Sequence, residues 1–320
     1  MSAVTVAGRP MPDLTADLTA GRPLGGLPVL VRGMGPGLAE ALSPLTEGYG
    51  GRFTQNRGGE VVYLPSGAEP LIYLGSGRGV PCHAAIAYRP HCATVPEPRF
   101  AAPGALPRGP AHFRREVWPL VAKDLAFAYY RELLTAHPER ARMTWAEFAP
   151  AYAAEEWGSK AARALIRNAV PRFADRLDFD RLDRPLGGIR FGDRAGLQRW
   201  TRGYLDADLT RRADPSFGAD LALARALSQA RDALAGTRHA DPWLDGFTRF
   251  VAEGPPAARL VELRALAAAG VVMFLGANLQ VRPHGREEVW RVSGSAWPGT
   301  VEVHAVLDAR DIVDRQEEYR

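Results

Sequence analysis

The stretch that decides the fold is a short apolar run followed by three closely spaced glycines, Val29-Leu-Val-Arg-Gly-Met-Gly-Pro-Gly-Leu-Ala-Glu-Ala-Leu42. This order predicts a strand, a tight turn and a helix that runs to about Glu47, the unit that holds a dinucleotide pyrophosphate. Gly33 allows the turn, Gly35 lets the backbone approach the phosphates, and Gly37 adds a backbone contact. A complete G-x-G-x-x-G pattern needs Gly or Ala where this chain has Leu38, so an ordinary glycine-rich connection remains the alternative.

The composition indicates a globular protein with no membrane partner. The chain has 320 residues, of which 46% are apolar, and no apolar run has the length of a membrane span. The first residues lack the basic start and apolar centre of a secretory signal. The two cysteines, Cys82 and Cys92, are too few for a disulfide framework, so the predicted location is the cytoplasm.

The charge pattern argues against nucleic acid as a partner. The net charge is only +4, and arginines alternate with acids, as in the stretch from Asp175 to Arg184. Such mixing is typical of a solvated surface of ion pairs rather than of a stripe that binds phosphates.

The order of elements along the chain is strands, then helices, then strands. We predict a lead-in segment over 1–28, a Rossmann-like α/β part over 29–112, a long helical insertion over 113–269, and C-terminal strands over 270–320 that return to the sheet. This order favours one α/β domain with an insertion over two independent domains. The predicted elements include a hairpin formed by Arg52–Thr54 and Val61–Leu64, a strand at Leu71–Leu74, a capping box at Thr144 and Glu147, and a single strand at Val301–Leu307.

A second glycine-rich loop, Gly75-Ser-Gly-Arg-Gly79, follows the predicted strand at Leu71–Leu74 and is typical of an anion-binding turn. Ser76 is a candidate hydrogen-bond donor to a phosphate, and Arg52 and Arg78 are candidates for a phosphate or 2′-phosphate. No acid for a ribose hydroxyl lies on a clear second strand, which favours NADP over NAD if a dinucleotide binds. The alternatives are an ordinary turn and surface arginines.

Two adjacent pairs, Cys82-His83 and His91-Cys92, carry the strongest local chemistry. Their spacing does not match common zinc patterns, and neighbouring side chains of a strand point apart, so no metal is expected. A cysteine nucleophile would need an orienting third group. His83 is the best acid–base candidate, and a structural histidine is the alternative. Arg115, close before Trp118, is the second candidate catalytic residue, as a side chain that lines a substrate pocket.

Seven short sequence segments, taken together, carry a family resemblance. They are Val31–Gly35, Leu45–Phe53, Tyr63–Pro70, Tyr73–Pro81 with His83, Trp118–Lys123, Asp180–Leu186 and Gly270–Gly276. In this order they resemble an actinobacterial group of FAD/NAD(P)-binding proteins, related to the two-dinucleotide-domain flavoproteins that include amine N-hydroxylases. The resemblance implies a degenerate second dinucleotide-binding domain with a helical insertion. It supports His83 more than either cysteine.

The chain also departs from that group, whose members are usually longer and begin with a segment that binds FAD. The stretch Val4–Pro10 lacks a second pair of glycines. A fragment, a protein that has lost its flavin, and a partner chain that supplies the missing half are the three explanations. We expect a stand-alone, repurposed protein, with FAD use uncertain.

The function predicted from these features is an oxidoreductase-like activity on a flavoprotein scaffold, linked to NADP(H) or flavin and placed in specialised metabolism. The alternatives are a cofactor-free cyclase, hydratase or lyase, and a non-catalytic subunit of a flavoprotein. The expected partners are a small-molecule substrate and a protein partner or second copy of the chain.

Overall fold

The structure, a computed structural model, describes residues 24–92, 94–109, 112–285 and 289–309, and the backbone of 5–6 and 9–10. The chain forms two compact units. We call the first the sheet unit; it comprises Met1–Ala84, Asp180–Leu209 and Gly254–Arg320. We call the second the helical unit; it comprises Ala85–Phe179 and Thr210–Glu253.

In the described part of the chain, the strands form one parallel sheet and three antiparallel ones. They are β1 (Thr5–Val6), β2 (Arg9–Pro10), β3 (Pro28–Arg32), β4 (Arg52–Gln55), β5 (Val61–Leu64), β6 (Leu71–Gly75), β7 (Val272–Phe274), β8 (Gln280–His284), β9 (Val289–Ser293), β10 (Thr300–Val303) and β11 (Ala305–Asp308). The parallel sheet has the order β11-β3-β6-β7, and β8, β9 and β10 form an antiparallel meander between β7 and β11. β1 pairs with β2, and β4 pairs with β5.

Nine helices of α type lie in the described part of the chain. They are α1 (Leu38–Leu42), α2 (Trp118–Ala136), α3 (Trp145–Ala154), α4 (Lys160–Ala169), α5 (Phe179–Asp183), α6 (Arg194–Ala213), α7 (Gly218–Leu234), α8 (Pro242–Ala252) and α9 (Ala257–Ala268). This architecture confirms the predicted α/β, Rossmann-like fold with a helical insertion and C-terminal strands.

The parallel sheet is covered on both faces. Alternate side chains of a strand point to opposite faces. Val29 and Val31 therefore join one apolar cluster, which includes Leu263 of α9. Leu30 joins the other cluster, which includes Trp290 of the meander. A parallel sheet buried on both faces needs a continuous apolar strand, and β3 has one.

The last predicted strand is in fact two. The sequence Val301–Leu307 predicted a single strand, but β10 pairs with β9 of the meander and β11 pairs in parallel with β3. The chain changes sheets at His304, whose backbone N–H donates to the carbonyl of Pro28 at 2.9 Å. The stretch Val301–Leu307 contains no turn residue, so nothing in the sequence indicates that the chain changes its pairing partner from β9 to β3.

The predicted hairpin of β4 and β5 is confirmed, and a buried glutamate holds its base. Glu69 accepts hydrogen bonds from the hydroxyl of Tyr63 at 2.9 Å, the N–H of Ser66 at 2.8 Å and the N–H of Gly67 at 2.9 Å. A Cβ at Gly51 would collide with the Tyr63 hydroxyl, so only glycine fits there. The segments Leu45–Phe53 and Tyr63–Pro70, which contribute to the family resemblance, therefore have a structural role.

The helical unit has an aromatic core. Trp118 makes edge-to-face contacts with Trp243 and Phe179, with ring centroids 4.7 and 5.2 Å apart. Such pairs add stability beyond the area that they bury. The capping box of α3 is confirmed: the Thr144 hydroxyl accepts from the Glu147 N–H, and the Glu147 carboxylate accepts from the Thr144 N–H.

The compact units differ from the four predicted segments in three places. Residues 85–112 lie in the helical unit, whereas residues 180–209 and 254–269 of the predicted insertion lie in the sheet unit. Leu205 of α6 and Leu260 and Leu263 of α9 pack in the core of the sheet. Compact units group residues by contact rather than by independent folding, so the four-part division stays a prediction. Within the described ranges, no helix combines the length and the apolar character needed to span a membrane.

Candidate functional site

Three glycine-containing loops meet at the carboxyl edge of the parallel sheet. They are the turn Gly33–Gly37 after β3, the loop Gly75–Gly79 after β6, and Gly276–Asn278 after β7. Parallel strands end at the same edge, and ligands of open α/β sheets bind there. The structure thus brings together five of the predicted cofactor-binding residues: Gly33, Gly35, Gly37, Ser76 and Arg78.

Backbone hydrogen bonds join these loops to one another. The N–H of Gly33 donates to the carbonyl of Gly75 at 2.9 Å, and the N–H of Asn278 donates to the carbonyl of Gly77 at 2.9 Å. The Ser76 hydroxyl oxygen accepts from the N–H of Gly79, also at 2.9 Å. Ser76 therefore shapes its own turn, and its hydroxyl hydrogen is the atom that a phosphate would use.

The glycines of this edge serve two purposes. Gly33 has φ +111° and Gly79 has φ +77°, values that favour glycine, and a Cβ at Gly79 would also collide with the backbone of Ala277. Gly35 and Gly77 instead face open space, with no atom within 4 Å of an added Cβ. The first pair fixes the loops, and the second pair leaves room for a ligand to approach the backbone.

The helix after the glycine turn is shorter than predicted. The sequence favoured a helix to about Glu47, but α1 ends at Leu42 and two 3₁₀ turns follow. Pro44 explains this end, because it has no N–H to continue the helical hydrogen bonds. A helix of five residues has a small dipole, so any anion at this turn relies on backbone N–H groups. Gly37 is the N-cap of α1.

Arg78 forms an ion pair with Asp183, a partner that the sequence did not predict. Its Nε and Nη2 atoms donate to Oδ1 of Asp183 at 3.1 and 2.7 Å. The side chains are 24% and 10% exposed, so a phosphate would have to share the guanidinium with Asp183. Arg52 does not lie in these loops; it is the exposed first residue of β4. Both phosphate-binding roles stay predictions.

His83 is buried and held by Asp208. Its Nδ1 lies 2.6 Å from Oδ1 of Asp208, and Oδ2 of Asp208 accepts the N–H of Ala84 at 2.8 Å. Because a carboxylate only accepts, Nδ1 carries a proton and Nε2 of the neutral ring is an acceptor. The Tyr204 hydroxyl lies 3.5 Å from Nε2. This geometry suits proton transfer at Nε2 and equally suits a structural role.

Sequence reasoning did not select Asp208, although α6 carries a signal for it. Leu197, Thr201 and Leu205 are fully buried and follow helical spacing, and Asp208 continues the same face. A charged residue at a buried position of a helix needs a partner. His83 supplies that partner from 125 positions earlier in the chain.

Cys82 is a structural thiol. It is buried, and its N–H donates to the carbonyl of Met34 in the glycine turn at 2.9 Å. Burial, reinforced by the charge of Asp208, raises the pKa of Cys82 to about 12, which keeps the thiol protonated. In the part of the chain that the structure describes, no three His, Cys, Asp or Glu side chains form a group that could hold a metal ion.

The cleft beside the glycine turn is narrow. Gly35, Pro36, Cys82, Phe53 and Arg259 are among its lining residues, and its volume is about 30 Å³. This volume holds one or two water molecules. A dinucleotide would therefore lie along the open loop edge rather than inside this cleft.

Arg115, the second predicted catalytic residue, is exposed on a helical turn of the helical unit, Phe113–Val117. His83 belongs to the sheet unit. The catalytic role of each residue stays a prediction.

Comparison with known proteins found no matching family model. The chain is 35% identical over 279 residues to an L-aspartate N-monooxygenase (nitrosuccinate-forming) of Streptomyces davaonensis, covering 80% of this chain and 42% of that protein. It is 31% identical to the same enzyme of Streptomyces cremeus, covering 93% of this chain and 48% of that protein. It is 30% identical to a nitrosuccinic acid synthase of Aspergillus oryzae, covering 92% and 47%.

The chain resembles about half of an amino-acid N-monooxygenase. It spans 42–48% of the length of the curated relatives it matches. These relatives are oxidoreductases, which supports the predicted class. One of them is fungal, so the resemblance extends beyond the actinobacteria.

Proposed function

We propose that the sheet unit binds NADP(H) at the carboxyl edge of its parallel sheet, and that the chain works within an oxidoreductase that oxygenates the amino group of a small amino acid. One observation carries the proposal. The glycine turn after β3 is hydrogen-bonded to the Gly-Ser-Gly-Arg-Gly loop after β6, and both loops expose a glycine to open space. The N-monooxygenase relatives supply the reaction class.

The residues of this edge fit a dinucleotide. Gly35 and Gly77 leave the backbone accessible, so a pyrophosphate can approach N–H groups of the turn. The loop after β6, the neighbour of β3, contains Ser76 and Arg78 and no carboxylate of its own. An acid there would bind the 2′-hydroxyl of NAD, whereas a serine and an arginine suit the 2′-phosphate of NADP.

Each residue has a proposed task. The backbone of Gly33–Gly37 binds the pyrophosphate, and Ser76 with Arg78 binds the 2′-phosphate. His83 and Asp208 fix the end of the loop that carries both. The bound nicotinamide would supply a hydride. FAD, implied by the resemblance, has no residues assigned among those described.

The proposed substrate is a small amino acid, with L-aspartate favoured by the relatives' names. Among the predicted catalytic residues, Nε2 of His83 is suited to accept a proton from an ammonium group.

The test is a titration of the full chain with NADPH and with NADH, in which binding is measured by nucleotide fluorescence and by calorimetry. We expect NADPH to bind at least about tenfold more tightly than NADH, and Gly35→Val to weaken NADPH by more than about tenfold. Because an added Cβ at Gly35 meets no atom, this variant should keep its fold. Gly203→Val is the matched control: Gly203 lies in α6 of the same unit and is also unobstructed.

If Gly35→Val leaves the affinity for NADPH unchanged, the proposal that the turn Gly33–Gly37 binds the pyrophosphate is refuted. If neither nucleotide binds, the cofactor-free enzyme and the partner subunit become the leading hypotheses.

A further inference from the structure

The helical unit contains a large cavity that the proposed function does not use. It has a volume of about 750 Å³ and lies among α2, α7 and the proline-rich segment 95–108. Cavities of roughly 300–1,000 Å³ are typical of small-molecule sites. The segment after α7 contributes Thr237, Arg238 and His239 to the lining.

The cavity exists because the facing helix surfaces carry small side chains. Ala128 of α2 and Ala226, Ala230 and Ala233 of α7 line it. The two helices pack against each other, and Gly218 at the start of α7 lies beside Glu132 near the end of α2. They are therefore antiparallel, and short side chains along both leave space beneath the proline-rich segment.

The proline-rich segment is held in place by a half-buried carboxylate of α2. Asp124 of α2 accepts the N–H groups of Arg99, Phe100 and Ala101 at 2.7–3.1 Å. Both carboxylate oxygens are used in this way. The charge of Asp124 is thus bound to the segment's backbone.

Part of the cavity lining is polar and basic. His239 lines the cavity and is only 8% exposed. The neighbouring Arg238, also a lining residue, donates a hydrogen bond to the carbonyl of Arg108, which fixes the guanidinium. Glu97, another lining residue, is exposed and lies two positions before the segment that Asp124 holds.

We propose that this cavity binds a small molecule with an apolar body and one carboxylate, with the carboxylate at Arg238 and His239. The apolar body lies against Val121, Leu125 and the alanines of α7. A guanidinium and an imidazole are the groups that pair with a carboxylate. This site is independent of nucleotide binding by the sheet unit.

The test uses three probes with the same ten-carbon chain: decanoate, decanol and decylamine, titrated calorimetrically into the full-length protein. We expect saturable one-to-one binding of decanoate, and binding of decylamine at least about tenfold weaker. Arg238→Gln should weaken the binding of decanoate by about tenfold and leave the affinity for decanol unchanged. Arg238 is exposed, so this variant should fold normally.

A cavity-filling variant tests the location. Ala230→Leu should abolish decanoate binding, whereas Ala164→Leu, the same substitution on the exposed face of α4, should not affect it. NADPH titration of each variant separates this site from the nucleotide site, because binding there should not change. The proposal is overturned if decanoate fails to bind, if decylamine binds more tightly, or if neither Arg238→Gln nor Ala230→Leu weakens decanoate.

Discussion

Asp208→Asn should loosen the loop that carries the proposed 2′-phosphate site. Asp208 faces two donors, Nδ1 of His83 and the N–H of Ala84, and the side chains of Asp208 and His83 are 5% and 11% exposed. Asparagine keeps the shape but replaces one oxygen with an NH₂ group, so one buried donor faces another donor. A buried unsatisfied group costs about 1–3 kcal/mol, and losing a charge-assisted bond costs a similar amount, so we expect about 2–3 kcal/mol.

Denaturant unfolding measures this loss, and hydrogen exchange over residues 75–84 locates it. NADPH affinity should fall together with protection of that loop. Asp206→Asn is the matched control on the same helix, because the carboxylate of Asp206 is exposed and pairs with Arg264 at the surface. Its effect should stay within about 1 kcal/mol. Equal losses in the two variants, or faster exchange elsewhere than in the loop, would refute the reasoning.

Three further predictions concern the sheet unit and Cys92. Asp183→Asn should raise affinity for NADPH about threefold to tenfold but not for NADH, because Arg78 no longer shares its charge; titrations in which both nucleotides improve equally would contradict this. Burial alone would raise the pKa of Glu69, but its hydrogen bonds lower it below 4.5, so the unfolded chain binds more protons in acid. Glu69→Gln should therefore reduce stability at pH 7, and the difference should shrink as pH falls below about 4.5, as acid-denaturation curves would show. Thiol labelling at pH 8 should modify Cys92 first: burial raises the pKa of both thiols, but Cys82 is buried whereas Cys92 is partly exposed; equal rates would contradict burial of Cys82.

Local features of the fold were readable from the sequence. Three such features are the apolar run of β3, the glycines that follow it, and the pair Gly58-Gly59 in the turn between β4 and β5. Each of them determines the conformation of its immediate neighbours in the chain. The capping box at Thr144 is equally local. Such patterns predict elements because the interactions that form them span only a few residues.

The partners of the site residues were not readable in this way. Asp183 meets Arg78 across 105 positions, and Asp208 meets His83 across 125. Neither pair has a spacing rule, because α5, which ends at Asp183, and α6, which carries Asp208, reach the segment after β6 only on folding. The change of sheet at His304 was missed for a similar reason, since pairing partners rather than local propensity decide it.

The order of the units along the chain sets the order in which the protein can be completed during synthesis. β6 ends at Gly75, but its neighbour β7 begins at Val272 and the other neighbour of β3 begins at Ala305. All residues of the helical unit leave the ribosome first. Until then β3 and β6 lack their outer neighbouring strands and the part of their apolar cover that comes from α9 and the meander, and open strand edges of this kind are prone to aggregation. A nascent chain halted before Ala305 would therefore depend on chaperones or be degraded, whatever the state of its helices.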